Sequence, residues 1–150
     1  MTARILILNG PNLNMLGLRQ PEIYGAETLA DVNVRCQNRS KSLGLTIDFR
    51  QSNSEGELVT WIQESRTTQD AIIINAGAYT HTSIAIMDAL LSSELPVLEL
   101  HVSNVHQREE FRHLSYISKV AFGIVVGLGT FGYEMALEAV AEKLKLSQKA

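Results

Sequence analysis

Glu99 and His101 stand two positions apart in "PVLELHV", residues 96–102, inside an otherwise apolar run. Residues i and i+2 of a strand share a face. A carboxylate placed there lies beside the imidazole, orients it and favours its protonated form, which prepares a general acid near neutral pH. An ion pair at a strand end is the plain alternative, but two ionisable groups interrupting a buried strand need compensation and so point to a site. A second stretch, "RQPEIYG" from Arg19 to Gly25, hangs a guanidinium and a phenol on one loop. A free phenol, with a pKa of about 10, is a poor base at pH 7, and a neighbouring guanidinium favours its phenolate. By spacing alone the same residues equally describe a surface turn in which Pro21 and Gly25 do the turning and Tyr24 packs. Arg108 and Arg112, four apart, share one face if helical; beside a crevice they make an anion site, and elsewhere only a solvated face.

The elements that must position these groups are legible as five short apolar runs: residues 4–8, 45–51, 70–75, 96–102 and 123–127. Continuous Ile, Val and Leu over so few residues is the mark of parallel strands buried on both faces. Between them lie helical spacings: Leu29, Val32, Cys36 and Leu43; then the box Ser54-x-x-Glu57 followed by Leu58 and Ile62; then Ile84, Met87 and Leu91; and last Met135, Ala139 and Val140. A short helical piece is expected at about Gln107 to Phe111. Alternation of strand and helix over 150 residues predicts one domain, 1–150, of the α/β class: a three-layer, flavodoxin-like sandwich with a five-stranded parallel sheet in the order 2-1-3-4-5. In that order the crevice opens outside the carboxyl ends of strands 1 and 3.

The segments leaving the strands are unusual. "NGPNLNMLGLRQPEIYGAET" spends 20 residues after strand 1, where a connection of about 2 to 6 is ordinary. "NAGAYTHTS" follows strand 3, and "HVSNVHQREEFRH" carries strand 4 outward. Together they bring Asn12, Asn75, His81, Ser103, Asn104 and Arg112 toward Glu99 and His101. "GLGTFG", Gly127–Gly132, imitates a dinucleotide loop and keeps a nucleotide- or flavin-binding module as the rival reading. However, it follows the last strand, and the acidic partner about 20 residues on falls at or beyond the chain end. Its glycines read as a tight turn and helix entry, an arrangement that leaves room for backbone N–H groups to face the crevice.

A formal charge of −3 without a basic face offers no footprint for nucleic acid. No run approaches the roughly 20 apolar residues of a membrane span, so a cytoplasmic protein is expected. The single cysteine, Cys36, cannot form an internal disulfide, has no metal-ligand partner and reads as core filling.

In this order and over nearly the whole chain, "NGPNLNMLG", "RQPEIYG", "NAGAYTHTSIAIMDAL", "HVSNVHQREEFRH" and "GLGTFGYEMAL" resemble the type II 3-dehydroquinate dehydratases. The resemblance implies reversible dehydration of 3-dehydroquinate to 3-dehydroshikimate through an enolate, without metal or organic cofactor, a step shared by aromatic biosynthesis and quinate breakdown. It implies Tyr24 as the base, Arg19 favouring the phenolate, and Asn12 holding a water or the enolate oxygen. It further implies His101 as the proton donor to the leaving hydroxyl, with Glu99 its orienting partner. Asn75, His81, Arg112 and the backbone N–H groups of Val102 and Ser103 match substrate-binding positions. Asp88 matches a residue that reaches the site of a neighbouring subunit, within a homododecamer built from trimers. Departures from the common wording are Ala76-Gly77, where many members have Pro-Ala, and Gln20, where an acidic residue is common; neither is a catalytic position. The type I enzymes use a lysine imine on a barrel. None of Lys41, Lys119, Lys143, Lys145 and Lys149 falls at the carboxyl end of a predicted strand.

Overall fold

The computed structural model describes residues 2–149; the side chains of residues 23, 24 and 146–149 lie outside that description. Five strands, β1 (Ala3–Asn9), β2 (Leu45–Gln51), β3 (Ala71–Asn75), β4 (Val97–His101) and β5 (Gly123–Val126), form one sheet in the order β2-β1-β3-β4-β5. Every adjacent pair is parallel. The expected strands match these to within one residue at each end. Ile5, Leu6, Ile7 and Leu8 are at most 2% exposed, because both faces of the sheet are covered.

The covering layers are helical. Besides a single turn, α1 (Pro21–Tyr24), there are α2 (Leu29–Ser42), α3 (Glu55–Thr68), α4 (Ile84–Ser93) and α5 (Phe131–Lys149). Side chains alternate across each strand, so Ile5, Ile7, Ile73, Leu98 and Leu100 pack with α2 and α5. Leu6, Leu8, Ile72, Ile74 and Val97 pack with α3 and α4 on the other face. Caps set the starts of three helices. Thr28 and Asp31 exchange hydrogen bonds at α2, and the Ser54 and Ser83 hydroxyls accept from Glu57 N–H and Ile86 N–H at α3 and α4.

Two expectations are corrected. In α4 the buried side chains are Ile86, Ala89, Leu90 and Ser93, whereas Ile84 and Leu91 are 52% and 66% exposed. This helix is apolar on nearly every side, so periodicity does not say which stripe meets the sheet. The segment after β4 is not one helical piece but two 3-10 turns, Val105–Gln107 and Glu110–Arg112. The Asn104 side chain accepts from His106 N–H and pins the first turn, and Arg108 then takes extended backbone that prevents a continuous helix.

At the crevice β1 and β3 run on together, Gly10 N–H donating to the Asn75 carbonyl at 2.8 Å. A Cβ on Gly10 would lie 2.3 Å from the Ala76 carbonyl oxygen. Because that neighbour is backbone and cannot turn away, Gly10→Ala is expected to cost about 3 kcal/mol, the upper end for overpacking. A melt should show a fall of roughly 10 °C; an unchanged melting temperature contradicts the close approach.

Candidate active site

A cleft of about 560 Å³ opens at the carboxyl ends of β1, β3 and β4. Its floor and walls come from the three long connections. Asn12, Met15 and Arg19 stand on the first, Asn75 and His81 on the second, and Val102, Ser103, Arg108 and Arg112 on the third. Among the described residues three guanidinium groups line it and no carboxylate does. In a chain of net charge −3 this is a local excess of positive charge, shaped to attract a small anion.

The first connection is held by short-range turns. Its 3-10 turn, Leu13–Met15, is followed by Leu18 and Arg19 N–H groups donating to the Met15 carbonyl at 3.0 and 3.2 Å. Asn12 (φ 71°) and Gln20 (φ 48°) are left-handed non-glycine residues, a strain that collects at ligand-binding loops. Asn12 N–H donates to Asn53 Oδ1 at 3.0 Å, while its amide is not used to cap the turn that follows. Arg19 faces the cleft. Tyr24 ends α1, and its side chain lies outside the described residues.

Glu99 and His101 are joined as their spacing predicts. His101 Nε2 lies 2.5 Å from Glu99 Oε2, and both are buried, at 6% and 2% exposure. Burial alone pushes the Glu99 carboxyl up, but hydrogen bonds from His101, Ser118 and Ser115 outweigh it and hold the group below its ordinary value. Ser115 donates to Oε2 at 2.8 Å and Ser118 to Oε1. The carboxylate is therefore ionised and only accepts, so Nε2 carries its hydrogen and Nδ1 is the nitrogen left for other work. Neither Glu99 nor His101 is on the cleft lining; His101 stands one residue before Val102, which is.

Replacing Glu99 by Gln keeps the shape but sets an amide N–H₂ among donors. Glu99→Gln should reduce kcat by roughly 10- to 100-fold, the usual effect of losing an orienting carboxylate. The pair also links to stability. A depressed folded-state pKa contributes stability that is complete above the ordinary value of 4.5 and is lost as pH falls through the lowered one. Urea midpoints of the parent protein should therefore fall more steeply below pH 4.5 than those of Glu99→Gln; parallel curves contradict this linkage.

The remaining groups are similarly fixed. His81 Nδ1 lies 2.7 Å from the Leu114 carbonyl, which only accepts, so Nδ1 donates and Nε2 is the nitrogen left for a ligand. Arg112 Nε donates to Glu109 at 2.5 Å and Arg108 reaches Ser103 Oγ at 3.4 Å. Both arginines line the cleft although they do not share a helix. Among the described residues, neither Val102 nor Ser103 N–H donates to a backbone acceptor, which leaves both open to a ligand's acceptor atom. Asp88 is not in this cleft; it is exposed on α4, between Ile84 and Leu91. Asn53, Ser115, Ser118 and Tyr133 support the site without having been singled out by sequence. Ser115 and Ser118 lie 16 and 19 positions from Glu99, so no local spacing marks them.

The glycine loop forms the turn and helix entry expected of it, Gly127 and Gly129 taking φ of 83° and 64° just before α5. Gly127 and Gly129 N–H groups donate to the His101 and Val102 carbonyls at 3.1 and 3.0 Å, securing the end of β4 instead of facing the crevice. Arg35 holds Glu27 and Glu134 at 2.7 and 2.5 Å beside the start of α5, and Thr130 donates to Glu27. Two carboxylates at that helix entry disfavour a pyrophosphate. Cys36 is buried, and burial together with Glu134 pushes its thiol up to about 12, which removes it as a nucleophile. Among the described residues no group of three or more His, Cys, Asp or Glu could hold a metal ion, and no helix is long and apolar enough to cross a membrane.

Comparison with known proteins agrees with this geometry. The chain is 57% identical over 145 residues to 3-dehydroquinate dehydratase 2 of Pseudomonas putida, covering 97% of each chain. It is 56% identical to the catabolic 3-dehydroquinase of Emericella nidulans, over 99% of this chain and 97% of that one. The crystal structure of type II dehydroquinase from Propionibacterium acnes superposes with a TM-score of 0.89 at 43% identity, covering 95% of this chain and 98% of that one. Residues 3–141 match the family model described as dehydroquinase class II, and the chain belongs to that family.

Proposed function

We propose that this chain dehydrates 3-dehydroquinate reversibly to 3-dehydroshikimate, using its own side chains as acid and base. The observation that carries this reading is a cleft lined by Arg19, Arg108 and Arg112 and, among the described residues, by no carboxylate, with the buried Glu99–His101 pair ending one residue before Val102 on its lining. The substrate is a ring ketone with a carboxylate and a hydroxyl β to the ketone. Its dehydration needs a base, a stabiliser of the enolate oxygen, an acid for the leaving hydroxyl and a clamp for the carboxylate.

Tyr24, as phenolate favoured by Arg19, removes the proton beside the ketone. The electrons of that C–H bond pass to the ketone oxygen, and Asn12 stabilises the enolate directly or through a water. The enolate then re-forms the ketone and expels the hydroxyl, which leaves as water with the proton given by His101. Glu99 steadies the imidazolium. Val102 and Ser103 N–H groups and Arg112 hold the carboxylate, and Asn75 and His81 bind the ring hydroxyls. The Arg19–Tyr24 loop closes over the substrate and excludes water.

We further propose a homododecamer of trimers in which Asp88 completes the cleft of a neighbour; its place between exposed Ile84 and Leu91 supports an interface. The activity belongs in the cytoplasm, where the unpaired Cys36 thiol stays reduced. The test of function is to add 3-dehydroquinate to the purified, chelator-treated protein and follow ultraviolet absorbance. A rise from the conjugated enone acid is expected; no rise from folded, assembled protein contradicts the proposal.

A further inference from the structure

The carboxyl ends of β1 and β3 are joined by a chain of hydrogen bonds that the chemistry above does not use. Asn9 and Asn75 are register partners on adjacent strands. They continue the face that carries Ile7 and Ile73 toward α5, and both are buried. Between them stands Tyr133, in the first turn of α5 and 1% exposed. Its hydroxyl lies 2.5 Å from Asn9 Oδ1 and 3.2 Å from Asn75 Nδ2. Each end of the chain reaches backbone. Asn9 Nδ2 donates to the Arg50 carbonyl at 3.1 Å, and Gly77 N–H donates to Asn75 Oδ1 at 3.3 Å.

Those two ends impose one direction. A carbonyl only accepts, so Asn9 turns its N–H₂ to Arg50 and its oxygen to Tyr133. Tyr133 must then donate to Asn9, and its oxygen is left to accept from the Asn75 N–H₂. Gly77 N–H only donates, so it holds the Asn75 oxygen on the opposite side. Burial pushes the Tyr133 phenol well above its ordinary value, and the proton stays in place. Turning the Asn75 amide over would set two donors face to face at Gly77 and two acceptors face to face at Tyr133, both in a buried site where lost partners are costly.

We propose that Tyr133 is a positioning residue for substrate: by fixing the Asn75 amide, it makes the second N–H of Nδ2 the group that Asn75 presents to the cleft, a donor to a substrate oxygen. The proposal rests on the reading of Asn75, which lines the cleft, as a substrate-binding residue. Tyr133→Phe keeps the ring and removes only the hydroxyl, so it frees Asn75 without emptying the core.

The experiment is a cycle of Tyr133→Phe, Asn75→Ala and the double variant, each checked for folding by circular dichroism and assayed with 3-dehydroquinate. Tyr133→Phe is expected to raise KM about 10-fold while kcat stays within about twofold, the signature of lost ground-state binding. Asn75→Ala should raise KM at least as much, and adding Tyr133→Phe to it should change KM by less than about twofold. An unchanged KM in Tyr133→Phe, or an equal rise with and without Asn75, overturns the positioning role. An unchanged KM in Asn75→Ala overturns the reading of Asn75 itself, and the proposal with it. If Tyr133→Phe fails to fold, Asn9→Ala serves instead. It releases the phenolic proton to turn on Asn75 and should give the same pattern, an unchanged KM again being contrary.

Discussion

Tyr24→Phe is expected to lower kcat by about 1000-fold while KM stays within about threefold, because it removes the proposed base and keeps an aromatic ring of the same size. The carbon acid beside the ketone is weak, and no other group is better disposed to take its proton. Among the described residues the cleft offers no carboxylate, and Glu99 is occupied by His101, Ser115 and Ser118. His81 is tied through Nδ1 to the Leu114 carbonyl at 2.7 Å. Binding should survive, because the proposed carboxylate clamp of Val102, Ser103 and Arg112 is untouched. Stopped-flow turnover and equilibrium titration of the variant check this. A kcat within about 10-fold of the parent removes Tyr24 from the base role.

His101→Ala should reduce kcat by roughly 100- to 1000-fold, the range for a lost general acid. Its effect differs from that of the tyrosine variant in one respect. It leaves the ionised Glu99 buried without its imidazole, so the variant should also melt earlier than the parent. His101→Gln is the useful companion, because its amide can donate to Glu99 but cannot deliver a proton to the leaving hydroxyl. Recovery of stability without recovery of turnover in His101→Gln is expected. Recovery of both contradicts the acid role.

Much of this arrangement was legible in the sequence, for reasons that can be named. Strands buried on both faces must be continuous apolar runs, so Ile5–Leu8 and Ile72–Ile74 announce themselves, and the polar residues that end such runs, Asn9, Asn75 and His101, mark the crevice. Glu99 and His101 were paired by strand geometry alone. Other features depend on tertiary contact. In "IAIMDALL" both sides of α4 are apolar, and only the docked sheet decides that Ile86 and Leu90 go inward while Ile84 and Leu91 face out. The 107–111 piece carried helical spacing, but the Asn104 cap and the extended Arg108 break it into turns. Tyr133 had no local signal at all. It sits on α5 like any core aromatic, and its partners are 58 and 124 positions away. The glycines of "GLGTFG" share the spacing of a phosphate loop, but the missing acidic partner marked them as a turn and helix entry, and the Gly127 and Gly129 N–H groups are spent on the carbonyls that end β4.

The division of labour between Tyr24 and His101 through an enolate is the central claim, and proton NMR of 3-dehydroquinate in D₂O tests it most directly. With His101→Ala the base still works and the acid is missing, so the enolate should form and return. The hydrogen beside the ketone should then exchange for deuterium faster than without protein, while little product appears. Tyr24→Phe should show neither exchange above background nor product. Exchange that persists in Tyr24→Phe and disappears in His101→Ala would reverse the two assignments and contradict the account.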